Sequence, residues 1–220
     1  MRMVLRTLGF VPRVLALCLA LVLSIPGTAL GSGTCGGFAD VSDSDQACAA
    51  ILGLSRNVFE GYPGGTFRPQ GTLTRAEAAK LLVVNFDLRV TGNIEPSFPD
   101  VQDHWAYLYI KGAVNAGVLN GFPDGQFRPE EYVTRAQFVK MVVAAAKDSG
   151  RKFGTGIDPG YADIASTDWF YTYVAQAWEA HIIGTDKNQL WASGSFSQDR
   201  PVTRAEAAMI LHNTNTKGGF

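Results

Sequence analysis

Charged residues are scarce in this sequence, and neither sign dominates. Charged side chains make up 18% of the 220 residues, against about 25% in average globular chains, and the formal net charge is −1. Such a chain lacks the strongly basic surface typical of nucleic-acid binding, so no nucleic-acid partner is expected. The low counts of Cys, Pro and Gly (3, 10 and 24) exclude disulfide-dense and collagen-like classes. The chain is still 46% hydrophobic and long enough for a buried core.

Long hydrophobic runs are lacking after the first 31 residues. The one such run, 14–25, is too short to span a bilayer as a mature helix. It is preceded by three arginines, Arg2, Arg6 and Arg13, and followed by Pro26 and the small residues of 29–31. These features predict a secretory signal peptide over 1–31, with an uncleaved membrane anchor as the alternative. We therefore expect an exported protein with no transmembrane segment in the mature chain.

Cysteines are few, and their positions fit export. Cys18 falls within the signal segment, which leaves Cys35 and Cys48. An even number in an oxidising compartment allows one disulfide between them. The alternative is a pair of free thiols.

A pattern of three linked motifs occurs three times. It consists of an aromatic-x-Asp-aliphatic start, a glycine 23 positions after the aromatic residue, and a Thr-Arg-Ala-Glu or Thr-Arg-Ala-Gln stretch. The glycines are Gly61, Gly121 and Gly184, and the threonines are Thr74, Thr134 and Thr203. The glycine-to-threonine distance is 13, 13 and 19, so the third copy carries a six-residue insertion. The repeats are predicted over 38–90, 98–150 and 161–216.

Each copy has the pattern of a helix, a loop and a second helix. Apolar residues at helical spacing, such as Ala106, Ile110 and Ala113, predict the first helix. A Gly-aromatic-Pro stretch then predicts a tight turn. In the Thr-Arg-Ala-Glu stretch, Thr74 and Glu77 form a capping box that starts the second helix, and Gln137 serves equally well in the second copy. The fold class is therefore all-α.

The three motifs together resemble the S-layer homology (SLH) motif, present three times. The resemblance implies a spindle-like bundle of pseudo-threefold arrangement, with grooves between its prongs. In that family the grooves bind secondary cell-wall polysaccharide linked to peptidoglycan, often ending in a pyruvylated amino sugar. The resemblance therefore implies a non-covalent cell-wall anchor, located at the cell wall or cell surface, or on the periplasmic face of the outer envelope in a diderm organism.

Candidate ligand-binding residues follow from the repeats. Arg75, Arg135 and Arg204 lie in the first turn of a capped helix, where free N–H groups and the helix dipole favour an anion. A guanidinium adds a bidentate fork for a carboxylate. The alternative is that each arginine pairs with an acidic residue of the neighbouring copy.

Aromatic and acidic residues complete the candidate site. Trp105 and Trp169 offer ring faces for sugars, with core packing as the alternative, whereas the first copy has Asp45 at the aligned position. Asp100 and Asp163, like Asp40 in the first copy, are expected to be helix caps or ligand contacts. Gly121 belongs to the loop of the second copy, which retains every element, so Arg135 is expected to matter most for binding and Arg75 less.

An enzymatic function is not expected. The three histidines occupy unrelated repeat positions without a metal-ligand partner, and no nucleophile elbow or phosphate loop is present. We therefore expect no metal and no cofactor. The alternatives to a simple anchor are an envelope-tethering adaptor and an accessory protein of a wall-active enzyme, with S-layer or other surface proteins as partners.

Overall fold

A computed structural model describes residues 33–89, 98–184, 191 and 194–217. The predicted signal peptide over 1–31 lies outside these residues. Within the described ranges the chain forms helices and isolated bridges but no strand, which confirms the all-α class. The helices are α1 (Cys48–Gly53), α2 (Arg75–Phe86), α3 (Tyr107–Asn115), α4 (Arg135–Asp148), α5 (Tyr171–Glu179) and α6 (Arg204–Thr216). None of them is long and apolar enough to cross a bilayer.

Capping boxes start the three long helices, as the sequence predicts. The Thr74 hydroxyl accepts the Glu77 N–H at 3.2 Å, and the Glu77 carboxylate accepts the Thr74 N–H at 2.9 Å. The same reciprocal pair forms at the start of α4 and of α6. Each hydroxyl cap contributes about 1 kcal/mol, so all three helix starts are well defined.

The helices pack mainly against helices of neighbouring repeats. The second helix of one copy packs against the first helix of the next, so that α2 contacts α3, α4 contacts α5, and α6 contacts α1. The long helices α2, α4 and α6 also meet one another: α4 contacts both others, and paired side-chain amides join Asn85 of α2 to Asn215 of α6. The three copies therefore close into a ring, and no copy buries its own helices alone.

A cycle of backbone hydrogen bonds closes the ring just before the long helices. The Val133 N–H donates to the Leu73 carbonyl at 2.9 Å, the Val202 N–H to the Val133 carbonyl at 2.9 Å, and the Leu73 N–H to the Val202 carbonyl at 3.2 Å. All three side chains are fully buried. One residue from each copy thus contributes to a hydrogen-bonded centre of the pseudo-threefold arrangement.

Aromatic residues at matching positions anchor the loops to the core. Phe67, Phe127 and Phe196 are fully buried and contact the aromatic residue that opens their own copy. A disulfide joins Cys35 to Cys48, which ties the first residues of α1 to the 3₁₀ turn at Cys35–Gly37. Buried aromatic contacts in all three copies and a disulfide in the first therefore fix the loops to the core.

Candidate functional site

The repeat aspartates hold the loops and cap no helix. The Asp100 carboxylate accepts the N–H groups of Phe127 at 3.0 Å and Arg128 at 2.6 Å. Asp40 and Asp163 accept the matching pairs of amides in their own copies. Of the two expected roles, helix cap or ligand contact, the helix cap is therefore wrong, because the carboxylate oxygens accept N–H groups of a loop 27 or more residues away.

Gly121 is required for close packing. A Cβ at this position would collide with the ring of Phe98, and the equivalent Gly61 meets Phe38 in the same way. Neither Gly121, Asp100 nor Asp163 lines the two grooves described below. The structure thus gives these three predicted ligand residues a part in shaping the loops.

The N–H groups at the starts of the long helices are already bonded. The Arg75 and Ala76 amides donate to the carbonyls of Glu131 and Pro129 in the next copy, at 2.9 Å each. The starts of α4 and α6 are bonded in the same manner to the following loop. The expectation of free amides that attract an anion is therefore wrong, since each helix start is closed by a neighbouring copy.

The three motif arginines are buried and reach into the next copy. Arg75 donates from Nε to the Phe127 carbonyl at 2.8 Å and from Nη2 to the Asn120 carbonyl at 2.9 Å. Arg204 repeats this pattern on the Phe67 and Glu60 carbonyls. Both guanidinium groups also lie over aromatic rings, 4.5–5.3 Å from the ring centres, as in cation–π contacts: Arg75 over Phe122 and Phe127, and Arg204 over Phe59, Tyr62 and Phe67.

The Trp105 groove lies between copies. It encloses about 190 Å³ and contains groups from all three repeats: Trp105 from the second, Arg204 from the third, and a first-copy wall. That wall includes Glu60, Glu77 and Lys80. The indole of Trp105 is 57% exposed, so core packing, the alternative for this residue, does not apply.

The Trp169 groove is the equivalent site one copy further along. It encloses about 160 Å³ and contains Trp169 of the third copy, Arg75 of the first, and Asn120, Gln137 and Lys140 of the second. Trp169 is 63% exposed. Each open groove therefore takes its arginine from the preceding copy and its tryptophan from the following one.

Arg135, the third arginine, is occupied by the protein itself. Its Nη2 donates to the Glu206 carboxylate at 2.6 Å, and its guanidinium lies 4.6 Å from the ring centre of Trp191. The Trp191 Nε1–H donates to the same carboxylate oxygen at 3.1 Å. Trp191 precedes Phe196 by five positions, as Phe122 precedes Phe127, so it is the third copy's equivalent of the rings that lie over Arg75 and Arg204. Sequence reasoning missed it because the six-residue insertion shifts Trp191 out of register when the copies are aligned from the glycine.

The two open grooves have different electrostatics. In the Trp169 groove, burial lowers the pKa of Lys140, and the positive charge of Arg75 lowers it further. Burial also lowers the pKa of Arg75 itself. Two partly desolvated cations thus share a groove whose described lining contains no carboxylate. An anion bound there would stabilise the charged form of both side chains.

Comparison with known proteins gives the class of these repeats. Residues 37–79 and 97–139 match the S-layer homology domain family. The SLH prediction is therefore confirmed for the first and second copies, and the third lies outside the matched residues. Each match ends within the first turns of the long helix. It therefore includes the loop, the aspartate that binds the loop amides, and the motif arginine.

Several curated bacterial proteins align with most of this chain. An uncharacterized cell wall amidase of Bacillus anthracis is 31% identical over 82% of this chain and 32% of its own length. A cellulosome-anchoring protein of Acetivibrio thermocellus is 31% identical over 69% of this chain and 34% of its own. S-layer protein EA1 of Bacillus anthracis is 28% identical over 83% and 20%. The chain thus spans about a third or less of the length of these relatives.

Proposed function

We propose that the protein is a non-covalent cell-wall anchor that binds secondary cell-wall polysaccharide through its open grooves. The observation that carries the proposal is the Trp169 groove, where an exposed indole lies beside two cations, Arg75 and Lys140. A ring face and adjacent cations suit a sugar that carries a carboxylate, such as a pyruvylated amino sugar linked to peptidoglycan.

The comparisons support the anchoring role without naming the ligand. SLH segments are present, and the relatives include a cellulosome-anchoring protein and an S-layer protein. We propose that the third copy is also an SLH motif, because its capping box and the hydrogen bonds from its loop amides to Asp163 match those of the other two copies. Location at the cell surface after removal of 1–31, and S-layer or other surface proteins as partners, belong to the same proposal.

The binding surface we propose contains two motif arginines and two tryptophans. These residues line the open grooves: Arg75, Arg204, Trp105 and Trp169. Arg135 is left out of the binding surface, because Glu206 and Trp191 already occupy it. The proposal includes no catalytic step. An accessory role beside a wall-active enzyme is favoured only by the likeness to the amidase.

Sedimentation with purified wall sacculi tests this function. We expect the wild-type protein to pellet with sacculi and to lose this binding after the secondary polymer has been stripped. The Lys140→Met/Trp169→Ala variant should bind roughly ten- to hundredfold more weakly, as expected for a lost charge-assisted contact. Tyr132→Ala is the matched control, since Tyr132 is 56% exposed but lines neither groove. Undiminished binding to stripped sacculi would contradict the proposal.

A further inference from the structure

The two open grooves share one frame but differ in two side chains. Position by position, Glu60 of the Trp105 groove corresponds to Asn120 of the Trp169 groove, and Glu77 corresponds to Gln137. Each groove keeps one lysine and one motif arginine. The exchange of two carboxylates for two amides is therefore the difference in charge between two grooves of similar volume, about 190 and 160 Å³.

Carboxylates of the Trp105 groove balance its cations internally. Lys80 Nζ donates to the Glu60 carboxylate at 2.9 Å. One oxygen of Glu77 accepts the Thr74 N–H of the capping box, and the Glu77 charge also acts on Arg204, whose pKa is lowered by burial and raised by that carboxylate among others. The cations of this groove are thus already compensated by residues of the first copy.

The cations of the Trp169 groove hydrogen-bond to neutral carbonyls, while the carboxylates that act on Arg75, Glu131 and Asp100, lie outside the described lining of the groove. Lys140 Nζ donates to the Val118 carbonyl at 3.0 Å, and Arg75 donates to two carbonyls. Asn120 and Gln137 add amide groups without charge. The groove therefore keeps a net positive charge that its own lining does not neutralise.

We infer that the two grooves select different sugar residues of the wall polymer. The Trp169 groove takes a residue with an anionic group, either a carboxylate or a phosphate. The Trp105 groove takes an uncharged residue, whose hydroxyl groups donate to Glu60 and Glu77. Carboxylates only accept hydrogen bonds, and they repel an anionic ligand, so the same pair of residues attracts one class and rejects the other. This inference rests on the proposed function.

Titration calorimetry with defined wall disaccharides tests the assignment of each groove. The probes are an amino-sugar disaccharide in pyruvylated, phosphorylated and unmodified forms. Trp169→Ala should weaken binding of the anionic forms roughly tenfold or more, and Trp105→Ala should do so for the unmodified form. The comparison of pyruvylated with phosphorylated probe identifies which anion the groove accepts.

Charge-exchange variants test the cause of the selectivity. The Glu60→Asn/Glu77→Gln variant should bind a second equivalent of the anionic disaccharide, and the Asn120→Glu/Gln137→Glu variant should lose its only one. Each exchange introduces the residues found at the same positions of the other copy. Glutamine and glutamate both complete the capping box, so we expect the fold to be retained. Circular dichroism verifies this for each variant.

The outcomes separate this inference from the proposed function. If both grooves bind the pyruvylated probe equally and the charge exchanges change nothing, the selectivity inference is overturned while wall binding stands. If no probe binds and the tryptophan variants retain full binding to sacculi, the grooves are not the site and the proposed function fails with it.

Discussion

At the scale of single residues, the aspartates of the repeats show how a local rule misleads. An aspartate near the start of an apolar helical pattern predicts a cap, yet Asp40, Asp100 and Asp163 bind loop amides far along the chain. The second amide in each pair belongs to a non-glycine residue at φ between 53° and 57°: Arg68, Arg128 and Ser197. A carboxylate that bonds both amides compensates for a backbone conformation that costs about 1 kcal/mol or more.

These hydrogen bonds predict a dependence of stability on pH. Burial alone would raise the pKa of Asp40 and Asp163, but hydrogen bonds from the loop outweigh it, so both pKa values lie below the ordinary 3.8. The contribution of a carboxyl with a depressed pKa is fully present above the unfolded value and is lost as the pH falls through the folded one. We therefore expect the free energy of unfolding to decrease below about pH 4.

Urea unfolding at pH 7 and at successively lower pH measures this effect. The Asp40→Asn/Asp163→Asn variant should be less stable than the wild type at pH 7 and should lose less stability on acidification. A variant that follows the wild-type pH profile in parallel would show that these carboxylates do not carry the dependence.

At the scale of elements, the buried ion pair between α4 and α6 is predicted to be structural. Arg135 and Glu206 are both largely buried, and Trp191 covers them. Arg135→Ala should destabilise the protein by about 3 kcal/mol or more, because it leaves the Glu206 carboxylate without its cation. In the Arg135→Ala/Glu206→Gln variant, part of that loss should be recovered. Denaturant unfolding provides the measurement.

An exposed pair provides the control for this prediction. Asp124→Asn removes the partner of Arg128 on the surface and should change stability little. A small loss in Arg135→Ala, similar to that of the surface variant, would refute a structural role and return Arg135 to the set of candidate ligand residues.

The elements themselves were largely predictable, whereas their partners were not. Capping boxes and helical spacing depend on residues three or four positions apart, so Thr74 and Glu77 define the start of α2 without any tertiary information. The packing of α2 on α3 of the next copy depends on how three apolar stripes close into a ring. Since each copy has nearly the same stripes, the sequence pattern is equally compatible with helices that pair inside one copy.

At the scale of the whole molecule, ring closure decides which residues form a binding site. The sequence places Trp105 and Arg135 in one motif set, but the structure puts Trp105 with Arg204 and Trp169 with Arg75. The missing tryptophan of the first copy therefore affects neither open groove. Trp191 lies over Arg135 as Phe122 lies over Arg75 and Tyr62 over Arg204, but the insertion of the third copy shifts it by six positions in an alignment made from the glycines.

The central claim is that each groove is assembled from different copies, and a double-mutant cycle tests it most directly. Lys140→Met, Trp169→Ala and Trp105→Ala are measured singly and in pairs by calorimetric titration with the pyruvylated wall disaccharide. Lys140 and Trp169, from different copies, should show a coupling energy of about 0.5–3 kcal/mol. Lys140 and Trp105, from the same copy, should be additive. Coupling of Lys140 to Trp105 with none to Trp169 would contradict the account.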